Sequence, residues 1–353
     1  MLTFTGFSKC EYCFFIKNLE IIKYLFTFVH VCSYDQIMNP YKKNLVYKIA
    51  IAYYENSLSQ QQIAEKFGLS RIMISRLLQK ALHEKIVEIK IYPPENPNVE
   101  LERKLEEMYG LKEAIVVGFS SANYEEILEA LGKAGVNYLQ RNLKGNETIS
   151  ISWGKTLLSL VNALPSENYK GFEIIQMIGG LGYPEDELSG TELTSRMANI
   201  LNARARLLNS PGIVSSEVLC NALKSESHIL ATLNLAKKAK IALVGIGNFS
   251  EGSILFKTDR ILTSEDIAFL KKNNTVGDIS LRFFNKEGKF IKGAINDRVV
   301  GLTIEEIKSI PYVVGIAGGK EKVCAIHAAL KGKFINVLIT DNSTAKKIIT
   351  KNS

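Results

Sequence analysis

Between residues 111 and 350 the chain repeats one theme without repeating a sequence: an apolar run closes on glycine or a small polar residue and gives way to a helical pattern. "TISISWGKT", "EIIQMIGGLG", "IALVGIGNFS", "YVVGIAGGKEK" and "NVLITDNST" all follow it. That alternation leaves few folds open and predicts an α/β domain, a Rossmann-like parallel sheet with helices on both faces. Ligands of such sheets bind beyond the carboxyl ends of the strands, where the glycines cluster here. Glycine lets a bound group approach the backbone, and the N-terminus of the next helix favours an anion. Glycine also serves tight turns with no ligand at all. Four such turns in one domain point to a small anionic ligand.

Ahead of this region, residues 38–93 carry a different pattern. Val46, Ile49, Ala50 and Tyr53 share one face of a helix that starts near Pro40 and ends near Asn56. Ser59, with Gln62 three residues on, forms a capping box for a second helix whose buried side is Ile63, Ala64 and Phe67. Gly68 suits the positive φ of a tight turn, and Ser70 caps a third helix that turns Ile74, Leu77, Leu78 and Ala81 inward. Ala64, Gly68, Ile74 and Leu77 stand at separations of four, six and three, the spacing of a DNA-binding helix-turn-helix. Two amphipathic helices meeting at a turn for structural reasons alone would more often show Glu–Lys pairs outside. The outer face of the third helix instead displays Arg71, Ile72, Ser75, Arg76 and Gln79, donors for phosphates and base edges without a carboxylate. Gln60, Ser70, Arg71, Ser75, Arg76 and Gln79 are therefore the expected DNA-binding residues. Residues 38–95 hold nine Lys or Arg against five Glu, so half of the chain's +8 net charge sits in this short stretch. Ile86 to Ile91 alternates as a short strand, which leaves the helix-turn-helix domain all-α or winged.

"YPPENPN" breaks regular structure and opens a linker-and-helix segment, 94–110. Leu101, Leu105 and Met108 form a stripe on its helix, Asn98 to Tyr109, read either as the entry to the 111–353 domain or as part of a dimer contact. Residues 1–37 are foreign to the rest: nine of the thirty Phe and Tyr and three of the five Cys lie there, with no clean period. Lys17, Glu20 and Lys23 interrupt the stretch from Tyr12 to Tyr34, leaving too short an uncharged run to cross a membrane. The segment reads as an atypical tail, with Met38 as an alternative start. Cys10 and Cys13 have C-x-x-C spacing but no second pair completes a zinc site, and the scattered Cys32, Cys220 and Cys324 fit a reducing cytoplasm.

Neither "GIGNFSEG" nor "AGGKEKV" has the spacing of a nucleotide-binding loop. His30, His83, His228 and His327 are scattered, and Asp186 and Glu192 are merely two acids near a loop, so spacing supplies no catalytic constellation. The chain is read as a binding protein with no metal or cofactor, not an enzyme.

Residues 38–350 resemble the SorC-type (SorC/DeoR) bacterial transcriptional regulators, most specifically in "SQQQIAEKFGLSRIMISRLLQKALHEKIVEIKI", "ISWGKTL", "LVGIG", "VGDISLRFFNKEG", "VVGIAGGKEKVCAIHAAL" and "LITDNSTAKKI". The resemblance implies a sugar-binding effector domain related in fold to sugar-phosphate isomerases and deaminases. It also implies a double-stranded DNA operator, a sugar or sugar-phosphate effector and a homodimer or homotetramer. Gly154 and Thr156 match a turn that contacts the ligand's phosphate, and Asp278 an acid facing the sugar hydroxyls. Gly245 and Gly247 match the floor of the pocket, and Lys322 the lysine that follows the glycine pair Gly318 and Gly319. Two positions depart from the family: Asn285 stands where Asp is common, and Gly179 lacks the preceding Arg of some phosphate-binding members. Those departures argue against a doubly phosphorylated effector. The alternative class is a sugar-phosphate isomerase or deaminase carrying a DNA-binding module.

Overall fold

The computed structural model describes residues 40–90, 98–118, 123–166, 171–180, 189–257 and 262–351. The chain divides between Tyr92 and Pro93 into two compact units. The expectations for residues 1–37, the C-x-x-C pair and His30 included, and for Asp186 lie outside the described residues.

The first unit is helical: α1 (Pro40–Tyr54), α2 (Gln60–Phe67) and α3 (Arg71–His83). The Ser59 hydroxyl accepts from the Gln62 amide while the Gln62 side chain accepts from the Ser59 amide, so two orphan donors of the first turn of α2 are satisfied at once. Gly68 ends α2 at φ 66°, and Ser70 caps α3 by accepting from the Met73 amide. Ile49, Ala52, Ile63, Ala64, Ile74 and Leu78 form one small core, and Val46, Ala50 and Ala81 a second. The strand expected over Ile86 to Ile91 is absent from its described part, 86–90. Lys85 turns the chain at φ 56°, and the amides of Ile86 and Val87 donate to the Ala81 carbonyl at 2.9 and 3.2 Å. Both side chains then pack on the Val46–Ala50–Ala81 core, which captures the alternating residues before they can pair as a wing.

The second unit opens with α4 (Val99–Tyr109) and then alternates: β1 (Glu113–Val117), α5 (Tyr124–Asn142), β2 (Thr148–Ile151), α6 (Lys155–Ala163), β3 (Glu173–Gln176), α7 (Gly190–Ile200) and β4 (Arg204–Arg206). Helices α8 (Glu217–Ser225) and α9 (Ser227–Ala236) lead to β5 (Ile241–Gly245) and β6 (Gly247–Asn248). After α10 (Ile254–Lys257) and α11 (Ser264–Lys272) come β7 (Thr275–Ile279), β8 (Arg282–Asn285), α12 (Ile304–Ser309), β9 (Tyr312–Ile316), α13 (Val323–Lys331), β10 (Val337–Asp341) and α14 (Asn342–Thr350).

Seven strands form one parallel sheet in the order β1-β10-β9-β5-β2-β3-β4. Successive residues of β5 face opposite sides: Ile241 and Leu243 join a core with α5, α6 and α7, whereas Ala242 and Val244 join one with α9, α13 and α14. Both faces are thus covered, as continuous apolar strands require. A second sheet, antiparallel β6-β7-β8, was not foreseen. Its β7–β8 turn is Ser280-Leu281, both left-handed at φ 51° and 60°. Asn-Gly is the usual signature of such a turn. Here the Asp278 carboxylate accepts from the Leu281 amide at 3.0 Å, and the buried Arg282 guanidinium donates to the carbonyls of Asn296, Val299, Gly301 and Leu302.

Candidate functional site

The chain runs from β2 outward through β3 to β4, returns to β5 beside β2, and continues through β9 and β10 toward the other edge. Strands β2 and β5 therefore flank the point where the sheet's winding reverses, the place where ligands of open α/β sheets bind. A cavity of about 810 Å³ lies there. All eight residues expected to meet the effector line it: Gly154, Thr156, Gly245, Gly247, Asp278, Gly318, Gly319 and Lys322.

Local chemistry accounts for the glycines. Gly154 precedes α6 at φ 115° and Gly319 precedes the turn of Lys320–Lys322 at φ 97°, conformations closed to most side chains. Gly247 pairs with Asp278 across β6 and β7, and a Cβ there would lie 2.0 Å from the Asp278 Oδ1. A Cβ on Gly318 would come within 2.5 Å of the Asp341 Oδ2. That buried carboxylate, at the end of β10, accepts from the Gly319 amide at 2.7 Å and from the Thr344 hydroxyl at 2.6 Å. Asp341 also caps α14 through the Thr344 amide, so the last strand and helix hold the glycine loop that follows β9.

Charge in the cavity is uneven. Burial pushes the Asp278 carboxyl up to about 6, against the opposing pull of the Leu281 amide and the Lys322 charge. Burial likewise brings Lys322 down to about 8, with Asp278 opposing the shift and Lys155 adding to it. The Lys322 ammonium forms no hydrogen bond or ion pair among the described residues. Lys155, Lys320 and Lys347 also line the space, against Asp278 and Glu321 as the acids. An anion is favoured. Where spacing along the chain supplies no acid–base pair, the fold brings Asp278 and Lys322 into one cavity with both groups titrating near neutrality.

Several lining residues escaped sequence reasoning. Trp153, the chain's single tryptophan, and Tyr124, whose ring covers Gly319, form apolar wall; Ser280 bonds to the Ser152 hydroxyl at 2.7 Å; the Ser253 hydroxyl is buried without a partner among the described residues. The lone Trp inside "SWGKT" was the available signal. Of the two departures from the family, neither Asn285 nor Ile178, which precedes Gly179, lines the cavity. Asn285 accepts from the amides of Glu287 and Lys289 in the turn after β8, and Gly179 sits where a Cβ would strike the Pro211 carbonyl at 2.5 Å. His83 and His228 are exposed, and His327 is buried edge-on to Tyr109.

In the helical unit, Arg71, Arg76 and Gln79 are exposed on α3, Ser70 is exposed at its N-cap, and Ser75 and Gln60 are half-buried. The Ser70 hydroxyl is engaged by the Met73 amide at 3.2 Å, so among these residues it is committed to the helix.

Comparison with known proteins places both units. The "Putative sugar-binding domain" family model matches residues 94–350, and the model of sigma-70 region 4, a helix-turn-helix, matches residues 48–84. The deoxyribonucleoside regulator of Bacillus subtilis is 33% identical over 312 residues, covering 88% of this chain and 99% of that protein. The full-length sorbitol operon regulator SorC of Klebsiella pneumoniae aligns in structure over 87% of this chain and 98% of its own, at 31% identity and a TM-score of 0.66. A DeoR family transcriptional regulator from Listeria monocytogenes aligns over 72% of this chain and all of its own, at 33% identity and a TM-score of 0.66.

Proposed function

The chain belongs to the SorC/DeoR-type bacterial transcriptional regulators, and from that premise we propose that its cavity takes a phosphorylated monosaccharide whose binding alters the hold of α3 on an operator. The observation that carries this reading is the convergence of Gly154, Thr156, Gly245, Gly247, Asp278, Gly318, Gly319 and Lys322 on one lysine-rich cavity at the winding reversal of the sheet. Lys322 and the amides that open α6 meet the phosphate, where a full charge and a helix N-terminus act together. Asp278 accepts from sugar hydroxyls rather than meeting the phosphate, since a carboxylate against the phosphate would repel it. In the helical unit, Gln60, Ser75, Arg71, Arg76 and Gln79 contact double-stranded DNA, and Ser70 sets the start of the reading helix. The regulator acts in the cytoplasm as a homodimer or homotetramer, because paired helix-turn-helix units read paired half-sites.

A panel of sugars and sugar phosphates tests the cavity. A phosphorylated sugar should raise the melting temperature of the full chain and change its operator affinity in a gel shift. If free sugars act equally well, the phosphate assignment is wrong. The Asp278–Lys322 pair favours one second reading, a sugar-phosphate isomerase or deaminase. Nuclear magnetic resonance of ribose and glucosamine phosphates in D2O decides it, because isomerisation carries solvent deuterium into the sugar and a pure sensor leaves the spectrum unchanged.

A further inference from the structure

Helix α3 has two stripes of the same spacing. Ile74, Leu78 and Ala81 point into the core at intervals of four and three. Ile72, Arg76 and Gln79 repeat those intervals two residues earlier, a rotation of about 200° at ~100° per residue, and so lie on the opposite side. Arg76 and Gln79 are donors suited to base edges. Ile72 is 69% exposed between them and the helix start, beyond the reach of either small core. Folding gives no reason for an isoleucine there: its branched Cβ lowers helix propensity, and water gains nothing from it. Arg71 and the capping Ser70 adjoin it in the first turn, the end of a recognition helix that meets base edges in the major groove. In that groove the one apolar feature of any base pair is the 5-methyl group of thymine.

We infer that Ile72 is a specificity-determining residue that packs on the 5-methyl of a thymine in the operator, beside bases read by Arg76 and Gln79. The inference rests on α3 being the DNA-reading helix. The basic, carboxylate-free stripe around Ile72 suits a duplex, whereas a protein partner would meet an apolar patch of only Ile72 and the less exposed Met73, bordered by Arg71, Arg76 and Gln79.

Selection of bound duplexes from a random pool by the full chain gives the operator. Each thymine in it is then replaced by deoxyuridine, which removes only the methyl group, and binding is followed by fluorescence anisotropy. At one thymine or its symmetry mate, the replacement should weaken wild-type binding roughly fourfold, the loss for one apolar carbon left in water. The Ile72→Ala variant should melt at the wild-type temperature, bind the thymine duplex roughly fourfold more weakly, and no longer distinguish thymine from deoxyuridine there. Insensitivity of the wild type at every thymine, or the same sensitivity in the variant, overturns the inference. Failure of any duplex to be enriched overturns the prior reading of α3, and this one with it.

Discussion

In the proposed reading Lys322 and Asp278 divide the cavity's chemistry between them, and single substitutions should separate the two halves. Lys322→Ala should lower affinity for a sugar phosphate far more than for the matching free sugar, whereas Asp278→Asn should weaken both, as calorimetry can show. Because burial holds Lys322 near 8, the unliganded protein binds that proton less tightly than the unfolded chain does. A phosphate restores the charged form, so binding above pH 8 should take up a proton, and affinity should fall as pH rises through about 8. Calorimetry in buffers of different ionisation enthalpy reads that proton directly. Asp278 has the opposite sign for stability. Its folded value of about 6 exceeds the ordinary 3.8, so its contribution to stability is lost as pH rises between those values, and Asp278→Asn should flatten the melting-temperature profile over that window. Gly247→Ala offers an independent route to the same carboxylate: the added Cβ, 2.0 Å from Oδ1, must displace it, so free-sugar affinity should fall while phosphate recognition at Lys322 persists. Unchanged sugar affinity in this variant would show that Asp278 does not face the ligand. These residues were legible in the sequence for a simple reason. Glycines at strand ends mark where backbone must stay bare, and the resemblance supplied the charged partners.

Elements differed in how far pattern alone reveals them. The capped ends of α2 and α3 were readable because Ser59, Gln62, Gly68 and Ser70 each satisfy a local requirement of the backbone. On α3, Arg76→Ala should weaken operator binding by roughly 1–3 kcal/mol if the guanidinium reads a base edge. Its exposure means that the melting temperature should hardly move, and unchanged gel shifts would remove this residue from the interface. The β7–β8 hairpin was opaque because its turn residues, Ser280 and Leu281, break the usual preference; tertiary contacts through Asp278, Ser152 and Arg282 hold what local propensity opposes. Ile86 and Val87 misled in the other direction. Their alternation reads as strand, yet the nearest apolar surface is the end of α3. The cavity walls formed by Tyr124 and Trp153 could not be read from spacing either, since their neighbours Gly319 and Gly245 come from strands far along the chain.

At the scale of the molecule, an effector that changes operator affinity must bind the DNA-competent and incompetent states unequally, commonly by 1–3 kcal/mol. Saturating sugar phosphate should therefore shift operator affinity of the full chain by about 5- to 150-fold, and Lys322→Ala should abolish the shift at the same ligand concentration while leaving ligand-free operator affinity intact. A shift that survives in the variant would move the sensing site elsewhere. The order of the parallel sheet has a further consequence, for the time during which the protein is being made. Among the described strands β1 pairs only with β10, so the first of them to leave the ribosome waits for the last. At ~5–20 residues per second that wait lasts roughly 10–50 s. The same strand and its helix carry Asp341 and Thr344, which hold the Gly318–Gly319 loop. A nascent or prematurely ended chain would thus already possess α1, α2 and α3 while the glycine loop beside its cavity was still unheld: under the proposed reading, a reader of DNA made before it can hear its signal.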